Sequence, residues 1–209
     1  GLQRYAQALP PSAWARLLAR LKAPCGVHAI LGNHDWWEDR IAQRTMQGPT
    51  EAGRALMDVG IPVHENRAVR ATLKGRPFWI AGLGDQWAFY GRRDHPRNRN
   101  RSHFFGVDDL DATLRQVDDD APVILLIHEP DAFPTVPQRV SLTLAGHTHG
   151  GQIRILGFAP VVPSRYKRRY AYGHIVEDGR HLIVSAGLGC SGYPVRFGSP
   201  PEIVVVDLG

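Results

Sequence analysis

Cysteine is nearly absent: Cys25 and Cys190 are the only two in 209 residues, too few for a disulfide framework or a four-cysteine zinc site. Both thiols are expected to pack as buried hydrophobes. Long apolar runs are missing as well. The longest unbroken aliphatic stretch, residues 123–127, falls far short of the roughly 20 residues that cross a bilayer. The expected location is therefore the cytoplasm or the cell envelope, as a soluble or peripheral protein. There is no internal repeat, no low-complexity linker, and no convincing Ser/His/Asp or Cys/His pattern of the kind that builds a protein nucleophile. The first residue is Gly1, so the sequence does not display what preceded it.

What is present points to an ordinary folded chain. The hydrophobic share is 43% and the charged share 22%, close to soluble globular averages, so wholesale disorder is excluded and one domain over residues 1–209 is expected. The net charge is +5, from 25 basic and 20 acidic residues, and it favours anionic partners. The excess is local. Arg92, Arg93, Arg97, Arg99 and Arg101 crowd one stretch, and Arg165, Lys167, Arg168 and Arg169 form a second. Nucleic acid, phospholipid head groups and phosphorylated metabolites all suit such clusters, and so does a plain solvated face. Nucleic acid is disfavoured, because aromatic interleaving and a recognition motif are lacking.

Periodicity places the elements. Trp14, Leu17, Leu18 and Leu21 recur at helical intervals after Pro10-Pro11-Ser12, predicting a helix over 13–22 capped by Ser12. Residues 27–31 read as a buried strand ending at Gly32, and residues 51–59 as a helix stopped by Gly60 and Pro62, with a strand near Val63. Val69, Ala71 and Leu73 alternate, Lys74-Gly75-Arg76 turns, and an apolar run resumes over 78–83, so a hairpin is expected. Residues 84–105 read mainly as loop, 108–117 as a helix, and 122–127 and 141–145 as buried strands. Further strands are expected at 153–156, 181–185 and 203–207. The fold class is layered α/β.

Three of the apolar segments run straight into residues that ligate metals. Leu31 leads into Gly32-Asn33-His34-Asp35, Ile127 into His128, and Ala145 into Gly146-His147-Thr148-His149-Gly150-Gly151-Gln152. Open α/β sheets bind ligands at strand carboxyl ends, so these loops are expected to converge. On extended backbone His147 and His149 point to opposite sides and suit two different ions. Imidazole with amide or carboxylate oxygen matches Mn, Fe or Zn better than Mg or Ca. Each segment also has a plainer reading: Asn-His-Asp is a common turn sequence, and one histidine at a strand end is an ordinary polar residue. Asp85 and Trp87 suit a cleft or a simple turn, and Trp36 and Trp37 suit a cap over the site or simple packing. His28, His64, His95, His103, His174 and His181 are assigned structural or surface roles.

Taken in order, Gly32-Asn33-His34-Asp35, His128 and Gly146-His147-Thr148-His149 resemble the later motifs of the calcineurin-like metallophosphoesterases. The segments Gly84-Asp85-Gln86-Trp87, Gly146 to Gln152 and Leu188 to Arg196 resemble the branch that contains membrane-associated bacterial phosphodiesterases, some acting on lipid-linked or nucleotide-sugar pyrophosphates. The resemblance implies an α-β-β-α sandwich holding two divalent cations. Asn33, His128 and His147 would hold one ion and His149 the other. His34 would be the catalytic imidazole that protonates or stabilises the leaving oxygen, oriented by Asp35. A water bridging the two ions would attack phosphorus in line, so that no protein nucleophile is needed. The implied partner is a phosphate ester or pyrophosphate, with peripheral contact to a membrane surface.

The family also carries an Asp-x-His motif on its first strand and a Gly-Asp motif on its second, both upstream of Asn-His-Asp. Neither precedes Gly32 here. The expectation is an N-terminally truncated chain lacking its first strands: an enzyme in the intact parent, and a piece that binds metal weakly and turns over little. Its rivals are a soluble nucleotide phosphodiesterase or phosphomonoesterase, and a non-catalytic scaffold of the same fold.

Overall fold

The structure, a computed structural model, describes residues 9–91 and 103–208. The arginine cluster from Arg92 to Arg101 lies outside the described residues, as does His95. The chain divides into two compact units, one spanning Leu9–His128 and the other built from residues 129–208 among those described.

In the first unit, α1 (Pro11–Leu18), α2 (Asn33–Trp37), α3 (Arg40–Thr45) and α4 (Glu51–Asp58) precede the β1 (Arg67–Leu73) and β2 (Arg76–Gly82) hairpin. Then come the short pair β3 (Phe89–Tyr90) and β4 (Phe104–Phe105), α5 (Leu110–Leu114) and β5 (Val123–Leu126). The helix α1 differs from its sequence reading. Pro11 occupies the first turn, where a missing N–H costs nothing, and Ser12 lies inside the helix, so no side chain caps it. It also ends at Leu18, leaving Leu21 exposed beyond it. By contrast, Thr50 caps α4 by accepting from the Gly53 N–H at 3.0 Å. The faces of α1 to α4 that carry Ala15, Trp36, Ala42 and Leu56 enclose one apolar core with Leu31, Ile61, Phe89 and Phe105.

β1 and β2 pair antiparallel through a two-residue turn at Lys74 and Gly75, both left-handed (φ 51° and 77°), which matches the twist of the flanking strands. β2 then pairs parallel with β5. Neither face of β5 is exposed: Val123 and Leu125 are buried, and Ile124 and Leu126 half-buried. The expected strand at 27–31 is instead an extended segment with one parallel bridge, Ala29 to Val63. The stretch expected to be loop over 84–105 holds the β3 and β4 pair.

Asn66 ties this unit together from the left-handed region (φ 52°). Its Oδ1 accepts from the Gly84 and Asp109 N–H groups, both at 2.9 Å, and its Nδ2 donates to the Val107 carbonyl. Losing three hydrogen bonds, and placing alanine in a left-handed conformation that asparagine tolerates better, predicts that Asn66→Ala costs about 3 kcal/mol. Urea denaturation would measure this, and a loss below about 1 kcal/mol would refute the hub role.

In the second unit, β6 (Leu142–Ala145) pairs parallel with β8 (Arg180–Val184), and β8 pairs antiparallel with β7 (Gly173–Glu177). Phe133, Val136, Tyr170, Leu182 and Val184 are buried there. Two expected strands are absent as ladders. Residues 153–156 make only isolated bridges, Ile153 to Phe197 and Ile155 to Phe158. Residues 203–207 form no strand, and Ile203 and Val205 stand exposed. An apolar run suits a strand, but a ladder also needs a partner edge. Both cysteines are half-buried thiols, not buried ones.

Candidate active site

The segment following Leu31 turns directly into helix. Gly32 precedes α2, its N–H donates to the Asp35 carboxylate at 2.8 Å, and the Asp35 N–H donates back to the Gly32 carbonyl at 3.0 Å. This reciprocal closure rotates Asn33 inward and His34 outward. Asn33 is 3% exposed, whereas the His34 side chain is nearly half exposed. Burial pushes the Asp35 carboxyl up, opposed by the Gly32 N–H. The partner that meets the His34 imidazole is Glu38, one turn on, with Nδ1 3.5 Å from Oε1. Asp35 therefore sets the backbone turn that carries His34 and feels its charge, while Glu38 meets the ring from one turn on.

Asn33 and His128 come together across 95 residues of sequence. Asn33 Oδ1 lies 3.1 Å from His128 Nε2. Two donors sharing one ion through bonds of about 2.0–2.2 Å at near right angles sit roughly 3 Å apart, so this separation fits joint ligation. The close approach depends on Gly32, because a Cβ there would lie 2.6 Å from His128 Cε1.

In the other unit, Gly146 to Gln152 is not extended. His147 and His149 are both left-handed (φ 67° and 52°), and His149–Gly151 forms a 3-10 turn. Alternation on a strand is therefore not what separates the two imidazoles; a compact, strained loop does so. His147 Nδ1 lies 3.7 Å from Oε1 of Glu129, a carboxylate with no solvent exposure. His149 Nδ1 lies 3.2 Å from the Gly189 carbonyl. His149 Nδ1 also meets Arg196 Nη2 at 3.4 Å. A buried carboxylate beside imidazole is a donor set for Mn, Fe or Zn.

Two residues here escape a reading based on motifs. Glu129 follows His128 in sequence, and nothing but its burial marks it. Arg196 gathers the loop behind His149: Nε donates to Gly189 O at 2.8 Å, Nη1 to Ser199 O and Pro200 O, and Nη2 to Ala186 O. Gln152 holds the same loop through Ser191 and Tyr193. Asp85 is buried and accepts from the Trp87 N–H at 2.8 Å. Trp36 is buried against Phe89, whereas Trp37 flanks His34. His28 bonds His64, and His174 bonds His181, as structural pairs.

Residues 4–151 match the family described as calcineurin-like phosphoesterase. The chain belongs to that family. Among curated relatives of this calcineurin-like chain is the uncharacterized metallophosphoesterase YkuE of Bacillus subtilis, 34% identical over 92% of this chain and 59% of its own length. Phosphodiesterase YaeI of Escherichia coli is 29% identical over 94% of this chain and 63% of its own. A Bos taurus protein named transmembrane protein with metallophosphoesterase domain is 30% identical over 91% of this chain and 40% of its own. The relatives thus come from an animal as well as from bacteria, and this calcineurin-like chain spans less than two thirds of the length of each of the three. No solved structure matches it. Among the described residues, no helix is long and apolar enough to cross a membrane.

Proposed function

We propose that the chain forms the metal-binding body of a metal-dependent phosphoric ester hydrolase acting on a phosphodiester or pyrophosphate. The observation that carries this reading is the 3.1 Å approach of Asn33 Oδ1 to His128 Nε2 in a chain of the calcineurin-like family. Asn33, His128 and His147 ligate one divalent cation and His149 a second, both Mn, Fe or Zn. When bound, such a pair supplies the activated water and the charge stabilisation for attack at phosphorus. His34, outward on α2, protonates the leaving oxygen, and Glu38 holds its other ring nitrogen. Asp35 positions that imidazole through the turn it closes with Gly32.

The substrate is anionic, with a lipid-linked or nucleotide-sugar pyrophosphate as the finer reading. Arg165, Lys167, Arg168 and Arg169 are all exposed and suit an anionic membrane surface, which would make the protein peripheral.

The division of roles has a direct test. His128→Ala is expected to lose most of the bound Mn(II) in equilibrium dialysis followed by metal analysis, and His34→Ala to keep it. Equal retention by both variants would overturn the assignment, and no binding by the native chain would favour a scaffold without metal.

A further inference from the structure

Helix α2 places two chemically different groups side by side. His34 and Trp37 are three residues apart, on one face of a helix, and their rings are 5.3 Å apart between centroids. Trp37 is half-buried and fixed. Its Nε1 donates to the Trp87 carbonyl at 2.7 Å, and its ring stacks on Phe104 at 5.0 Å and on Tyr90 at 4.9 Å, with interplanar angles of 24° and 27°. Phe104 in turn stacks on Trp87 at 5.0 Å. Tyr90 lies at the edge of this group and is 54% exposed.

The strand that carries Tyr90 is also pinned. Gln43 Nε2 donates to the Trp36 and Ala88 carbonyls at 3.0 and 2.6 Å, and its Oε1 accepts from the Tyr90 N–H at 3.4 Å. One side chain thereby joins the end of α2 to β3. Aromatic rings normally contribute to folding by leaving water. A tyrosine held stacked yet more than half exposed, one ring away from an exposed histidine, offers a preorganised surface for another flat ring.

We propose that Trp37 and Tyr90 form a stacking platform that takes a flat aromatic group, aryl or nucleobase, on the alcohol departing at His34. The proposal rests on the hydrolase reading, in which His34 serves the leaving oxygen. Stacking of this kind is worth about tenfold in affinity.

Three probes test it by equilibrium binding to the Mn(II)-loaded chain: 1-naphthylmethylphosphonate, ethylphosphonate and adenosine 5′-monophosphate. The native chain is expected to bind the naphthyl probe about tenfold more tightly than the ethyl one, Tyr90→Ala to bring the two within about twofold, and Tyr90→Phe to keep the preference. Adenosine 5′-monophosphate binding with the naphthyl probe assigns a nucleobase; its binding with the ethyl probe assigns an aryl group. Equal affinities in the native chain, or a preference that survives in Tyr90→Ala, would overturn the platform. The native comparison stands even if the alanine variant fails to fold. If ethylphosphonate and inorganic phosphate do not bind while naphthyl binding persists and depends on Tyr90, the platform stands and the phosphoesterase reading falls.

Discussion

Replacing Glu129 with glutamine should weaken Mn(II) binding ten- to hundredfold while leaving the chain folded. Glu129 has no solvent exposure, and its carboxylate lies 3.7 Å from Nδ1 of a His147 side chain that is itself only 6% exposed. A carboxylate in that position adds a buried negative charge beside the imidazole, which strengthens the attraction for a cation. Glutamine keeps the size and removes the charge, so it separates this effect from packing. Glu129→Ala adds a cavity and is expected to lower stability by a few kcal/mol as well. Titration of the apo variants with Mn(II), alongside thermal melts, tells the two apart. Unchanged metal affinity in Glu129→Gln would remove Glu129 from the site.

A second large effect concerns acid. His64 is 2% exposed and packs against Gly82, where any Cβ would collide with its side chain and carbonyl. Its Nε2 lies 2.8 Å from Nδ1 of His28, whose Nε2 lies 2.8 Å from the Cys25 carbonyl. A carbonyl only accepts, so His28 donates from Nε2, and its Nδ1 shares one proton with His64 Nε2. Burial, with the nearby His28 and Arg67, pushes His64 down to about 4. The unfolded imidazole titrates near 6.5, so between pH 6.5 and 4 the unfolded state holds a proton that the folded state refuses. Stability therefore falls as pH drops through that window, by roughly 3 kcal/mol from this group. His64→Gln should flatten that part of the profile in urea denaturation at stepped pH. A native profile no steeper than the variant's between pH 6.5 and 4 would refute it.

Local chemistry explains which features could be read from the residues. The β1 and β2 hairpin is legible because Lys74-Gly75 supplies both left-handed positions of its turn. The helix α4 is legible because Thr50 caps it and Gly60 and Pro62 stop it. The same logic misplaces residues 203–207, a continuous apolar run that reads as a strand but forms no ladder. Asn33 and His128 were named by motif, and their approach depends on a glycine whose neighbour is 96 positions away, which no local window reveals. The left-handed backbone at His147 and His149 was hidden for a different reason. Glycines on either side suggest extended freedom, while the strain sits on the histidines themselves. Glu129 carries no sequence signal beyond its position after His128, since burial of an acid is a property of the fold.

The residues behind His149 are fastened at two points, by Gln152 to Ser191 and Tyr193, and by Arg196 to four carbonyls. Between these anchors Leu188 and Tyr193 face solvent. Side chains at those two outward positions can therefore change size or polarity while the backbone behind the histidine stays fastened.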